Sequence, residues 1–155
     1  AAGVVSNFAR TPQSNDTGQI RAVASGECQI AVVNTYYLAR LAASDDPADL
    51  AVAAAVGIVF PGQQGNGTHV NISGAGVVST SPNRDNAIRF LEYLTSDRAQ
   101  SLFADGNNEY PAVPSVGASS KVVALGEFKE DGLNAAELGV HQSTAIMVFD
   151  RAGWQ

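Results

Sequence analysis

Short apolar runs alternate with helical patterns along this chain, and the alternation constrains the fold more than any other feature. Four runs are typical of strands, at residues 29–33, 55–60, 70–73 and 75–79. The spacing of apolar residues predicts helices that start near Asp16, Thr35, Pro47, Asn83 and Ser96, and a helical tail from about 133 to 153 that is broken near Gly139. Strands that alternate with helices form mostly parallel sheets, so we expect an α/β fold.

Composition narrows the function classes. The 155 residues are enough for one domain with a core, and 45% of them are hydrophobic. Fifteen acidic residues against nine Lys and Arg give a formal charge of −6, with no basic cluster. Nucleic-acid binding needs concentrated positive charge, so we predict no nucleic-acid partner. No apolar run approaches the roughly 20 residues of a membrane helix.

The chain begins at Ala1, without Met and without the pattern of a signal peptide. We interpret it as a mature secreted product or a fragment. Its one cysteine, Cys28, has no partner for an internal disulfide. Two interpretations stay open: a small buried thiol, or a cysteine whose partner lies in sequence outside this chain.

Two adjacent tyrosines carry the clearest chemical signal. Tyr36 and Tyr37 follow the strand-like run 29–33 and fall in the first turn of the next predicted helix. Neighbours on a helix project about 100° apart, and such a pair is usually structural. At a helix start, however, both rings can lean toward the opening beyond the strand end, where α/β proteins bind ligands. A phenolate is a hard oxygen donor, which suits a hard cation such as Fe³⁺.

Two neighbours strengthen this interpretation. Arg40 lies four residues after Tyr36 and three after Tyr37, on the same helix face, so its charge can stabilise a phenolate. The amide of Asn34, with the N–H groups of the helix start, could hold an anion beside the metal. The sequence therefore predicts a metal site at Tyr36 and Tyr37, with Asn34 and Arg40 around it.

Other motifs carry little weight. Gly74-Ala75-Gly76 lacks the third glycine and the following helix of a dinucleotide fingerprint. Ser73 lacks the flanking glycine of a nucleophile elbow. Cys28, His69 and Asn71 have no local context of a thiol protease. Because no nucleophile, base and orienting group occur together, we predict that the chain is not an enzyme.

The chain resembles the ferric-ion-binding proteins of bacterial iron ABC transporters, over nearly its whole length and in family order. The matching runs are Ala24 to Cys28, Asn34 to Leu38, Gly67 to Gly76, Ser81 to Asn83, Asn86 to Ile88, Phe90 to Ser96, Ala99-Gln100, Asn108 to Pro111 and Ala152 to Trp154. The resemblance covers only the C-terminal half of such proteins.

The resemblance implies a fold like that of type II periplasmic binding proteins, with two lobes, an iron site in the cleft between them, and hinge-crossing strands. Residues 1–70 and 122–155 would belong to the lobe that carries the tyrosines, and 71–121 to the opposite lobe. The run 70–77 would be a hinge strand. Some relatives carry an upstream cysteine that would pair with Cys28.

By the same resemblance, Tyr36 and Tyr37 match the paired tyrosine ligands, and Asn34 matches a contact to a synergistic anion such as carbonate or phosphate. The remaining ligands would come from the missing N-terminal half, so weak iron binding is expected of this chain alone. The implied function is a periplasmic Fe³⁺ receptor for an ABC transporter permease. A receptor for a small oxyanion or organic solute is the alternative. Apolar faces without partners predict a retained second fragment or a domain-swapped dimer.

Overall fold

The computed structural model describes residues 1–13 and 15–154. Their regular structure is helical, and the elements in chain order are α1 (Ala2–Val5), α2 (Asp16–Ala24), α3 (Thr35–Ala42), α4 (Pro47–Ala54), α5 (Arg84–Leu94), α6 (Asp97–Asn107), α7 (Ser120–Val123) and α8 (Ala135–Ala152). The chain forms two compact units, one from Ala1–Val32, Val59–Val70 and Phe128–Gln155, the other from Val33–Ile58 and Asn71–Glu127.

Polar caps explain where several helices begin. Asp46 accepts from the Ala48 N–H at 2.9 Å, with Pro47 in the first turn of α4, and Ser96 accepts from the Ala99 N–H at the start of α6. Helix α2 begins at Asp16, as predicted, and the side chain of the preceding Asn15 caps it by accepting from the Gly18 N–H at 3.0 Å. Helix α8 continues through Gly139, so the break that was predicted there is wrong.

The predicted strands are absent from the described residues, apart from one parallel bridge between Thr68 and Glu130. This corrects the expectation of a sheet with hinge-crossing strands. A strand needs a neighbour to pair its N–H and C=O groups and to cover its side chains. Here Val32 is 97% exposed and Ile30 83% exposed, so the apolar pattern has no neighbour to pack against. We call residues 29–33 and 70–79 the open runs.

In the first unit, helix α1 packs against α8, and Ile20 and Ala22 of α2 are buried. The rings of Phe8 and Phe149 both contact Trp154, with centroids 5.1 and 5.2 Å from its ring. Arg10 is paired with Glu27 at 2.8 Å. Cys28 is half-buried, and no disulfide occurs among the described residues.

The first unit also contains a dense hydrogen-bonded structure, formed by residues 60–69 and 128–131, which we call the clasp. The Gln63 side chain accepts from the Lys129 N–H at 2.7 Å and donates to the Lys129 carbonyl at 3.0 Å. Backbone bonds of 2.8 Å join Thr68 to Lys129 and to Asp131. The Gly- and Gln-rich residues 62–67 have the composition of a flexible loop, and these bonds give them a defined structure.

In the second unit, helix α3 packs against α4 and α7, and α5 packs against α6. The buried apolar residues of this unit are Ala39 and Leu41 of α3, Val122 of α7, and Ala99 and Ala104 of α6. The C-terminal half of α3 is thus fixed in this core. Its first turn, with the two tyrosines, remains partly exposed.

Candidate metal centre

The site residues predicted from the sequence lie together at the start of α3. Asn34 is the residue that precedes the helix, with extended backbone at φ −76° and ψ 141°. The helix then begins with Thr35, Tyr36 and Tyr37. Because Ala39 and Leu41 anchor the following turn, the position of the tyrosine pair is set by the packing of α3.

The two tyrosine rings lie side by side. The ring centroids of Tyr36 and Tyr37 are 4.5 Å apart with planes tilted by 38°, and both residues are partly exposed. In an ordinary pair of neighbours on a helix, one ring would be buried in the core. Here neither ring is buried. Two adjacent, accessible phenols are a geometry that two oxygen ligands of one cation could use, and their role as ligands stays a prediction.

The side chain of Arg40 lies against the tyrosine pair. Its guanidinium carbon lies 5.4 Å from the centroid of the Tyr37 ring, over the ring face. A cation so placed is attracted to the electron-rich face of the ring. The contact is therefore compatible with the predicted supporting role of Arg40.

Asn34 has a hydrogen-bond partner that was not predicted to lie near the site. The Asn71 side chain donates from Nδ2 to the Asn34 Oδ1 at 3.2 Å. From the sequence alone, Asn71 was linked only to Cys28 and His69, in a protease set that nothing local supported. The signal was its place in the matching run Gly67 to Gly76, but nothing local connects two residues 37 positions apart.

Tyr110 is a less suitable ligand. Burial raises the pKa of the Tyr110 phenol, because desolvation penalises its charged form. A phenol that resists deprotonation binds a ferric ion less readily. In the part of the chain that the structure describes, His, Cys, Asp and Glu form no group of three that could hold a metal ion. The described helices also include none with the length and apolarity to cross a membrane.

Comparison with known proteins identifies the family. The profile of the bacterial extracellular solute-binding proteins matches residues 2–130. The chain belongs to this family. Its curated relatives include iron uptake protein A1 of Synechocystis, 50% identical over all of this chain and 43% of the relative. Iron uptake protein A2 of the same organism is 51% identical over 99% of this chain and 45% of the relative.

Solved structures agree. A Trichodesmium protein (IdiA, FutA) in complex with iron and citrate ligands is 52% identical, with a TM-score of 0.92 over 99% of this chain and 49% of its own. The ferric binding protein of Campylobacter jejuni is 37% identical, with a TM-score of 0.94 and the same coverage. The fold is therefore that of periplasmic ferric-binding proteins, and the chain spans about half the length of the relatives it matches. These are binding and uptake proteins, which agrees with the prediction that the chain is not an enzyme.

Proposed function

We propose that this chain is the C-terminal half of a ferric-iron receptor, which binds Fe³⁺ through the tyrosinates of Tyr36 and Tyr37 in a cleft between two lobes. The observation that carries the proposal is the pair of accessible rings, 4.5 Å apart, at the start of an anchored helix. Support comes from the iron uptake proteins that share half of its residues.

The chemistry of the four residues fits this cargo. Fe³⁺ is a hard cation that displaces the phenol proton, and two phenolates give it two strong oxygen ligands. The charge of Arg40 supports the phenolates, and Asn34 would hold a synergistic anion such as carbonate or phosphate. The citrate that accompanies iron in the Trichodesmium relative supports a role for an anion. Two tyrosines leave most ligand positions to other donors, so this chain alone should bind iron weakly.

The whole protein would have the two-lobed, type II periplasmic fold, with strands that cross the hinge. By the resemblance, residues 1–70 and 122–155 would form part of the tyrosine lobe and 71–121 part of the other, with a hinge strand at 70–77. This division differs from the two compact units of the chain, in which residues 33–58 group with 71–127. The high TM-scores over about half the length of each solved structure support the placement of this chain within a larger protein of that fold. A cysteine in the other half would pair with Cys28, and a free Cys28 thiol in the non-reduced whole protein would refute that pairing.

The proposed function also implies protein partners for this chain. The receptor would work in the periplasm and deliver iron to an ABC transporter permease, which the family of extracellular solute-binding proteins supports. The exposed apolar residues of the open runs, such as Ile30, Val32 and Ile72, call for the N-terminal half of the protein or for a domain-swapped second copy. Light scattering that shows a monodisperse, stable monomer of this chain would contradict both.

Equilibrium dialysis against Fe³⁺ buffered by citrate tests the proposal. We expect the unsubstituted chain to retain iron, and Tyr36→Phe and Tyr37→Phe each to bind it at least about tenfold more weakly, because each loses a charged ligand. Tyr93→Phe is the matched control, since this partly exposed phenol lies on α5 and should leave binding unchanged. Equal retention by all four chains would refute the role of the pair. Retention of citrate without iron would favour the oxyanion or organic solute alternative.

A further inference from the structure

Helix α8 exposes large apolar side chains along most of its length. Every residue from 135 to 151 is exposed, although α1 packs against the helix. Helices in proteins gain most of their stability from packing an apolar face, and Gly139 with several β-branched residues gives α8 a modest intrinsic helix propensity. Its large apolar residues, each between 44% and 72% exposed, are Leu138, Val140, Ile146, Met147, Val148 and Phe149.

These apolar side chains lie on opposite sides of α8. At about 100° per residue, Val140 projects about 200° from Leu138, whereas Phe149 returns to within about 20° of Leu138. A partner that covers α8 from one direction would therefore leave apolar side chains of the other side in water. One stripe, with spacings of four, three and seven residues, is polar and suits solvent. We call it the polar stripe, and it consists of Glu137, His141, Thr144 and Arg151.

The size of the relatives indicates what covers the other sides. A lipid surface covers one side of a helix, and so does a second copy that docks through a single face. This chain spans 43% of iron uptake protein A1 and 49% of the Trichodesmium protein, so each relative has more residues outside the matched part than within it. The Trichodesmium structure superposes on 99% of this chain, so α8 has a counterpart in that larger fold.

We propose that α8, outside its polar stripe, is an interaction surface for the N-terminal half of the protein. That half folds around α8 and turns an exposed helix into a core helix, with the polar stripe left in solvent. The inference rests on the part of the proposed function that makes this chain the C-terminal half of a receptor. It does not depend on which residues bind iron.

Met147 is the single methionine of the chain, and it reports on this surface without any substitution. It is 49% exposed and projects from the side of α8 opposite Leu138. Hydrogen peroxide converts accessible methionine to the sulfoxide, and mass spectrometry of the peptide gives the rate. We expect Met147 to be oxidised at least about tenfold more slowly in the whole protein than in this chain. Equal rates would overturn the inference.

Two aspartate substitutions test the polar stripe against the covered surface. Ile146 and Thr144 project about 200° apart near the middle of α8. In the whole protein, Ile146→Asp should lower the urea midpoint by about 1 M or more, because it buries a charge, or should prevent folding. Thr144→Asp should shift the midpoint by less than about 0.3 M. Equal midpoints for the two variants would contradict burial of the Ile146 side.

In this chain alone, both side chains are solvated, so the same two substitutions should have small and similar effects. If a second copy covers α8 instead, Met147 in this chain will be oxidised more slowly as the chain concentration rises, with no further protection in the whole protein. That result would overturn the inference.

The iron site and the α8 surface can fail separately. A tyrosinate band that depends on Tyr36 and Tyr37, in a whole protein whose Met147 is oxidised as fast as in this chain, would overturn the inference while the proposed function stands. Protection of Met147 in a whole protein without that band would refute the iron site and support the α8 surface.

Discussion

The clasp and the open runs both lie outside the helices and form no strand, yet only the clasp has a dense hydrogen-bonded structure. In the clasp, Lys129 bonds through its backbone to Gln63 and Thr68, and its Nζ donates to the Gly65 carbonyl at 2.7 Å. The rings of Phe60 and Phe128 stack with centroids 4.4 Å apart. In the open runs, by contrast, Val32 is 97% exposed.

The difference shows what extended backbone needs. Its N–H and C=O groups gain little over water unless a second segment pairs with them and excludes solvent. The clasp has that second segment within the chain, about 60 residues away. The open runs have none among the described residues. A strand-like pattern therefore predicts a strand only if another segment of the protein is available to pair with it and cover it.

The largest expected effect comes from breaking the clasp at Gly67. This glycine has φ +108°, and an added Cβ would overlap the Glu130 carbonyl group. We expect Gly67→Ala to lower the free energy of unfolding by about 3 kcal/mol, through backbone strain and overlap together. Urea unfolding followed by circular dichroism measures it.

Gly65→Ala is the control for that substitution, because its added Cβ would lie 3.7 Å from the nearest atom, the Gly62 carbonyl oxygen. It should change the unfolding midpoint only slightly. Equal midpoints for Gly67→Ala and Gly65→Ala would mean that the close approach of Gly67 and Glu130 does not matter for stability.

A smaller effect should follow from removing the Gln63 side chain, which donates to the Thr68 hydroxyl at 2.8 Å and bonds both backbone groups of Lys129. We expect Gln63→Ala to destabilise the chain by about 1 to 2 kcal/mol in the same assay, since solvent replaces part of what is lost. Gln142→Ala, on the exposed surface of α8, is the matched control and should have almost no effect. An unchanged free energy of unfolding for Gln63→Ala would show that the hydrogen bonds of the clasp do not stabilise the chain.

The smallest effect belongs to the open runs. Ile30→Thr and Val32→Thr should each change the free energy of unfolding of this chain by less than about 0.5 kcal/mol, because these side chains are solvated before and after unfolding. Val122→Thr, whose side chain is fully buried, should cost about 2 kcal/mol for the buried hydroxyl. Marked destabilisation by Ile30→Thr would show that the run 29–33 is packed in solution.

Features that depend on nearby residues could be predicted from the sequence, whereas features that depend on distant segments could not. Helices α3 to α6 were predicted well, because their starts depend on nearby residues such as Asp46, Pro47 and Ser96. The grouping of the tyrosines with Arg40 also follows from helix spacing. The strands failed as predictions, and the bond between Asn34 and Asn71 was missed, because both depend on segments distant in sequence.

The visible absorption spectrum of the chain loaded with Fe³⁺ tests whether Tyr36 and Tyr37 are ligands of the metal. We expect a tyrosinate-to-iron charge-transfer band that Tyr36→Phe and Tyr37→Phe each weaken and that both substitutions together abolish. Tyr93→Phe should leave the band intact. A band that persists in the double variant, or no band in a chain that dialysis shows to retain iron, would contradict the claim that this pair binds the metal.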